Sequence, residues 1–102
     1  MLEMMQKKES ELKKKRREKW VLYILRCSDL SLYTGITKDL EKRFRAHSEG
    51  KGARYTRTRL PLEMVYQEIC KSRSQALIRE CAVKALPRKN KLALIEEFRG
   101  AI

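Results

Sequence analysis

A chain of 102 residues has room for one domain with one modest core and excludes a second, since a domain of this size hides roughly two thirds of its unfolded surface. No run approaches the roughly eighteen apolar residues of a membrane span, the N-terminus lacks the apolar core of a signal peptide, and three cysteines, Cys27, Cys70 and Cys81, odd in number and without CxxC spacing, point to neither a disulfide framework nor a zinc site but to a reduced, cytoplasmic setting. The net charge is +12, of which +4 falls on residues 1–19 and +8 on residues 20–102, so the folded part is itself cationic and a polyanion is the expected partner.

Residues 1–19 include Lys13-Lys14-Lys15-Arg16-Arg17 and favour helix by residue type, but Leu2, Met5 and Leu12 form only a thin apolar stripe. They read as a frayed basic arm, either a tether to phosphates or a solvated extension. Without Trp or Phe they make a poor membrane anchor. Trp20 to Cys27 and Ser31 to Thr37 are two β-type runs, and Ser28-Asp29-Leu30 between them is too short for anything but a hairpin turn. The first run is almost continuously apolar, which predicts a central strand covered on both faces. The second alternates, and Gly35 within it marks a bulge or a close approach of another group. Side chains two apart share a face and opposed residues lie close across a hairpin, so Tyr23 and Tyr33 can meet.

Thr37 or Asp39 caps a helix over Leu40 to His47, which stops near Gly50 and Gly52. Leu40 and Phe44 mark its buried stripe, Arg43 and His47 lie on the border, and Glu41, Lys42 and Arg45 point away. Lys51 to Arg59 reads as a basic loop in which Lys51, Arg54, Arg57 and Arg59 neutralise phosphates and Tyr55 stacks on a base or contacts a sugar. A merely solvated loop has the same composition. After Pro61, Leu62 to Ile69 forms a third strand without a clean polar face. Ser72 or Ser74 starts a second helix that runs to about Leu86, before Pro87, with Leu77, Glu80, Cys81 and Lys84 on one stripe. Glu80 therefore turns toward the body, with Lys84 as its simplest partner. Arg88 to Phe98 forms a third helix, with Leu92, Ile95 and Phe98 closing the core. The expected fold is α+β, a small three-stranded antiparallel sheet flanked by helices, spanning residues 20–98 between the arm and a short tail, 99–102.

Val21-Leu22-Tyr23, Tyr33-Thr34-Gly35, Arg43, His47 and Glu80 within Ala76-Leu77-Ile78-Arg79-Glu80 together resemble the GIY-YIG nuclease domain, and Leu25 to Asp29 followed by Ser31 to Thr37 is similar to its small single-domain, YhbQ-like branch. The resemblance covers roughly residues 20–96. It implies a metal-dependent endonuclease that hydrolyses phosphodiester bonds in DNA ahead of RNA, for structure-directed repair or processing. It also implies that Glu80 holds a single Mg²⁺ or Mn²⁺, that either Tyr23 or His47 takes the proton of the attacking water, that Tyr33 orients water or phosphate, and that Arg43 stabilises developing charge. A phenol serves as a base only where cations lower its pKa, a role that falls to Arg43 and the metal.

Val21 and Leu22 replace Gly and Ile of the first tripeptide, Thr34 replaces Ile of the second, Ser48 stands where relatives carry asparagine, and Asn90 sits in a basic run unlike the family's late asparagine. No obvious specificity module accompanies the domain, so alone it is expected to prefer structure or ends over sequence, or else to rely on a protein partner for specificity. Two readings compete with the nuclease: a non-catalytic nucleic-acid-binding module of the same fold, and a basic scaffold in which the tyrosines are core residues.

Overall fold

The strand Trp20–Arg26 (β1) is the middle of the sheet because its side chains are apolar on both sides of the backbone: Leu22, Tyr23, Ile24 and Leu25 are each at most 1% exposed. Two antiparallel neighbours flank it, Leu32–Thr37 (β2) and Glu63–Cys70 (β3), in the order β2-β1-β3. The computed structural model describes residues 19–100; the basic arm, apart from Lys19, and the last two residues of the tail lie outside the described residues. Among the described residues there are four helices: Leu40–Ser48 (α1), Arg54–Arg57 (α2), Arg73–Ala85 (α3) and Arg88–Gly100 (α4). The fold is therefore α+β, as the sequence predicts. None of the described helices is long and apolar enough to cross a membrane.

Each face of the sheet has its own cover. Leu22 and Ile24 face Ala76 and Val83 of α3 and Ile95 of α4, with Val65, Tyr66 and Cys70 completing a core edged by Trp20, Leu32, Ile36, Leu94 and Phe98. Tyr23, at the alternate position, points to the opposite face, where His47 of α1 and Thr56 of α2 lie over it.

Several local devices fix these elements. The hairpin turn holds Leu30 at φ 69°, and the Asp29 carboxylate accepts from the Ser31 N–H at 3.0 Å. Asp39, of the two candidate caps, accepts from the Lys42 N–H, and Ser72 caps α3 through the Gln75 N–H.

Two expectations need correction, and a third gains its reason. On α3 the buried residues are Ala76 and Val83, whereas Leu77, Cys81 and Lys84 are exposed. Apolar residues occur on both sides of Glu80, and the small Ala76 lets the helix approach the sheet closely, so the helix turns that way. On α4 Leu94 packs inward in place of Leu92, which is exposed. In β3 the register slips beside Ile24: that residue pairs with Tyr66 and Leu25 with Met64, leaving Val65 as an extra residue. This bulge lets Val65 and Tyr66 both be buried, which is why the strand has no clean alternation.

Leu22→Ala should cost roughly 2–5 kcal/mol, because the cavity it leaves lies between the sheet and two helices. Ile69→Ala, on the same sheet but 73% exposed, should stay within about 0.5 kcal/mol. Urea unfolding midpoints at constant m-value compare the two.

Candidate active site

Tyr23 lies opposite Gly35 in the β1–β2 register. A Cβ on Gly35 would stand 2.5 Å from the Tyr23 hydroxyl oxygen, so glycine there leaves room for a phenol ring folded across the neighbouring strand. Tyr33, paired with Leu25, lies diagonally on the same face, its ring centroid 6.4 Å from that of Tyr23. Helix α1 carries Arg43 and His47 to this pair, one turn apart. The His47 ring is 5.8 Å from Tyr23 and 5.3 Å from Tyr33, in edge-on contact with both.

His47 is completely buried, and both ring nitrogens are bonded. Its Nε2 is 2.9 Å from the Tyr23 hydroxyl and its Nδ1 2.9 Å from the Thr56 hydroxyl. The Thr56 hydroxyl donates its only proton to the Ala53 carbonyl at 2.9 Å. It can therefore only accept from His47, which places the ring proton on Nδ1 and leaves Nε2 as a bare acceptor. Tyr23 O–H donates to it. The result is a one-way chain: Tyr23 hydroxyl to His47, His47 to Thr56, Thr56 to the Ala53 carbonyl.

Electrostatics agree with that direction. Burial and the nearby Arg43 guanidinium push the His47 pKa down to about 4, so the imidazole is neutral at pH 7. Burial also raises the Tyr23 pKa; Arg43 opposes the rise, while the charges of Tyr33 and Glu80 add to it. Arg43 lowers the phenol's pKa, as expected of it, but desolvation outweighs the cation and the net shift is upward. Tyr23 is therefore a neutral donor and His47 the ready acceptor. Arg43 itself is held more firmly protonated by its interaction with Tyr23, against a smaller opposing effect of burial, with Tyr33 adding to the rise.

Glu80 approaches from α3, close enough for its charge to act on Tyr23. Its side chain is 20% exposed and pairs with Lys84 at 3.6 Å. Among the described residues no three His, Cys, Asp or Glu cluster as a metal cage. One partly open carboxylate held by a loose ion pair suits a hard cation that keeps most of its water and shares phosphate oxygens.

The predicted basic loop is partly helical: α2 turns Thr56 inward and Arg54 and Arg57 outward. Lys51 pairs with Glu49 at 3.8 Å and Arg59 with Asp29 at 3.0 Å. Tyr55 is stacked on Tyr33, with centroids 6.2 Å apart, and the Arg59 guanidinium lies 3.8 Å from its ring centroid. Its neighbours are thus in place without a base, and stacking one there requires rearranging Tyr33 or Arg59. Among the described residues, Arg54 and Arg57 remain without a carboxylate partner. Asn90 is exposed on α4.

Sequence reasoning missed Thr56 and took Gly52 as a stop for the preceding helix. A Cβ on Gly52 would lie 2.7 Å from His47 Cγ and 2.8 Å from its Cα and would overlap Nδ1, so the glycine makes room for the histidine ring itself. The signal was the Gly52-x-x-x-Thr56 spacing beside the chain's single histidine.

Thr56→Val should destabilise the fold by about 1–3 kcal/mol, by leaving the buried Nδ1–H unpaired, and Thr56→Ser should restore most of that stability in urea unfolding. Because the folded His47 pKa lies below the unfolded value, the unfolded chain takes up this proton first on acidification. The His47 contribution to stability should fall as the pH drops from about 6.5 towards 4 and level off below that. Denaturation across this range should show a steeper decline in the wild type than in His47→Gln.

Residues 19–93 match the family described as the GIY-YIG catalytic domain. A UPF0213 protein of Staphylococcus saprophyticus is 49% identical over 80 residues, covering 78% of this chain and 98% of its own, and one of Staphylococcus haemolyticus is 49% identical over 79 residues, covering 78% and 96%. Two solution NMR structures share the fold. The UPF0213 protein BH0048 of Bacillus halodurans has a TM-score of 0.51 at 41% identity, over 76% of this chain and 83% of that one; the protein EF2693 of E. faecalis has 0.56 at 37%, over 79% and 86%. With three quarters of its length matched and the paired tyrosines gathered around one arginine and one histidine, the chain belongs to the GIY-YIG family.

Proposed function

We propose that this protein is a divalent-metal-dependent endonuclease that hydrolyses phosphodiester bonds in DNA, with structure-directed repair or processing as its setting and a partner protein supplying specificity. The observation that carries the reading is the buried chain from Tyr23 through His47 to Thr56, which ends in an acceptor and so draws a proton away from the Tyr23 hydroxyl. A core-filling tyrosine needs one partner for its hydroxyl; it does not need a histidine of fixed tautomer and depressed pKa.

A water beside the Tyr23 hydroxyl gives its proton to the phenol oxygen as it attacks phosphorus, while the phenol proton passes to His47 Nε2. His47 ends as an imidazolium with Nδ1–H still on Thr56. A base of pKa about 4 is weak, but one of the two causes of that value is the field of Arg43. A bound phosphate neutralises that field and brings His47 nearer to the working pH. Arg43, between the two phenols, then faces the charge that builds on the phosphoryl oxygens. Tyr33 orients the water or the phosphate. Glu80 is the residue that would hold Mg²⁺ or Mn²⁺, and the ion, when bound, supplies charge neutralisation on the phosphoryl and leaving oxygens. Arg54 and Arg57, with Lys51, Arg59 and Tyr55 behind them, contact the substrate backbone. The three free cysteines fit a reducing, cytoplasmic location.

The test is cleavage of labelled duplex, nicked, branched and single-stranded DNA and RNA with Mg²⁺, Mn²⁺ or EDTA. Cutting should require the metal and disappear in Glu80→Ala. Tyr23→Phe, with no hydroxyl to pass a proton, should be slower by about 10²–10⁴-fold. Salt-sensitive binding that is equal in all three proteins, with no cutting of any substrate, would instead identify a non-catalytic binding module.

A further inference from the structure

Three strands end together at the edge of the sheet from which β1 starts. Trp20 pairs with Cys70 and Val21 with Thr37, so Lys19, Lys38 and Lys71, each one residue beyond its strand, leave the sheet side by side. Adjacent strands are about 4.8 Å apart. Arg73, the first residue of α3, joins them: its guanidinium carbon lies 5.9 Å from the Trp20 ring centroid, and Lys38 Nζ lies 5.6 Å from it. All four cationic residues are exposed, while Trp20 is half-buried against the core.

Their charge is unbalanced. None of the four forms an ion pair among the described residues. Of the described acids near them in sequence, Asp39 caps α1 through the Lys42 N–H, and Glu68 takes Arg79 at 2.8 Å and the Tyr66 hydroxyl at 2.7 Å. Two cations over one indole repel each other and are only partly compensated by the ring. An anion between them removes that repulsion. Trp20 precedes Tyr23 by three residues, a rise of roughly 10 Å along β1, but packs on the α3 side of the sheet while Tyr23 faces α1, so a nucleic-acid strand bound at Tyr23 reaches this cluster round the end of the sheet. Lys42 and Arg43 line a shallow cleft with Thr37, Asp39 and Ala46, next to Lys38 in the chain.

We propose that the sheet end formed by Lys19, Trp20, Lys38, Lys71 and Arg73 is a second nucleic-acid contact, a phosphate-binding surface that holds the substrate backbone to one side of the reacting phosphate, opposite in role to the α2 region and independent of its cations. The surface rests on the nucleic-acid reading of the site but not on catalysis. Trp20 serves as the fixed platform that keeps Lys38 and Arg73 converged.

The experiment measures binding of the full chain to a labelled DNA duplex by fluorescence anisotropy in EDTA, with Kd followed against salt. Lys38→Gln/Arg73→Gln and, separately, Lys19→Gln/Lys71→Gln are compared with Lys89→Gln/Lys91→Gln, which removes the same charge on α4. Removing one cation that touches a phosphate should make the log–log salt slope shallower by about 0.9, so each sheet-end pair should flatten it by up to about 2 while the α4 pair changes it little. Sheet-end pairs that track the α4 pair would overturn the proposal, since net charge alone would then explain them. Cleavage of the same duplex with Mg²⁺ separates the two readings. Intact cutting with unchanged slopes overturns this surface alone, whereas no cutting by any variant with the slope difference preserved overturns the nuclease and leaves the surface standing.

Discussion

The Tyr23 hydroxyl and His47 Nε2 stand 2.9 Å apart between two buried side chains, and much of the surrounding architecture follows from keeping them so. A buried imidazole that stays neutral must find a donor for one nitrogen and an acceptor for the other, or the fold bears the cost of each unmet bond. The donor comes from the central strand and the acceptor from a four-residue helix that turns Thr56 inward. Two glycines clear the volume: Gly35 for the phenol and Gly52 for the imidazole. β1, β2, α1 and the segment around α2 are thereby tied to one point, although they span more than thirty residues of sequence.

Burial and charge then divide the work of the site. Desolvation dominates at both Tyr23 and His47 and keeps both neutral, the phenol holding its proton and the imidazole ready to take one. Arg43 remains charged beside them because the phenols favour its protonated form. A cation near two neutral groups that transfer a proton between them is an asymmetric device. It disfavours the imidazolium, and in the proposed reaction a bound phosphate would relieve that part of the effect. The core on the other face has no such constraint and is packed from Leu22, Ile24, Val83 and Ile95.

The fold was readable where one local pattern decided the outcome. Trp20 to Leu25 is apolar throughout and became the central strand; Ser28 to Leu30 is too short for anything but a turn; Asp39 and Ser72 are good caps with suitable runs behind them. It was not readable where two patterns competed. On α3, Leu77 and Cys81 are as apolar as Ala76 and Val83, and only contact with the sheet chooses between them. The bulge at Val65 depends on pairing with β1, which no window of β3 contains. At the site, the spacing from Tyr23 to Tyr33 and from Arg43 to His47 placed those residues on the right elements. Thr56 was hidden because a threonine among arginines reads as a phosphate contact and one helical turn leaves no periodicity. Gly52 looked like a helix stop and Tyr55 like a ligand-facing residue, yet their neighbours are His47 for the first and Tyr33 and Arg59 for the second.

The directional proton chain is tested most directly by the nitrogen resonances of the His47 ring, which belong to the only histidine in the sequence and need no assignment. At pH 7 that chain requires a protonated Nδ1 and a bare, hydrogen-bonded Nε2, unchanged down to about pH 5, with the Nε2 signal moving in Tyr23→Phe as its donor is removed. A ring protonated on Nε2 at neutral pH, or one that titrates near 6.5 like a free imidazole, would contradict it.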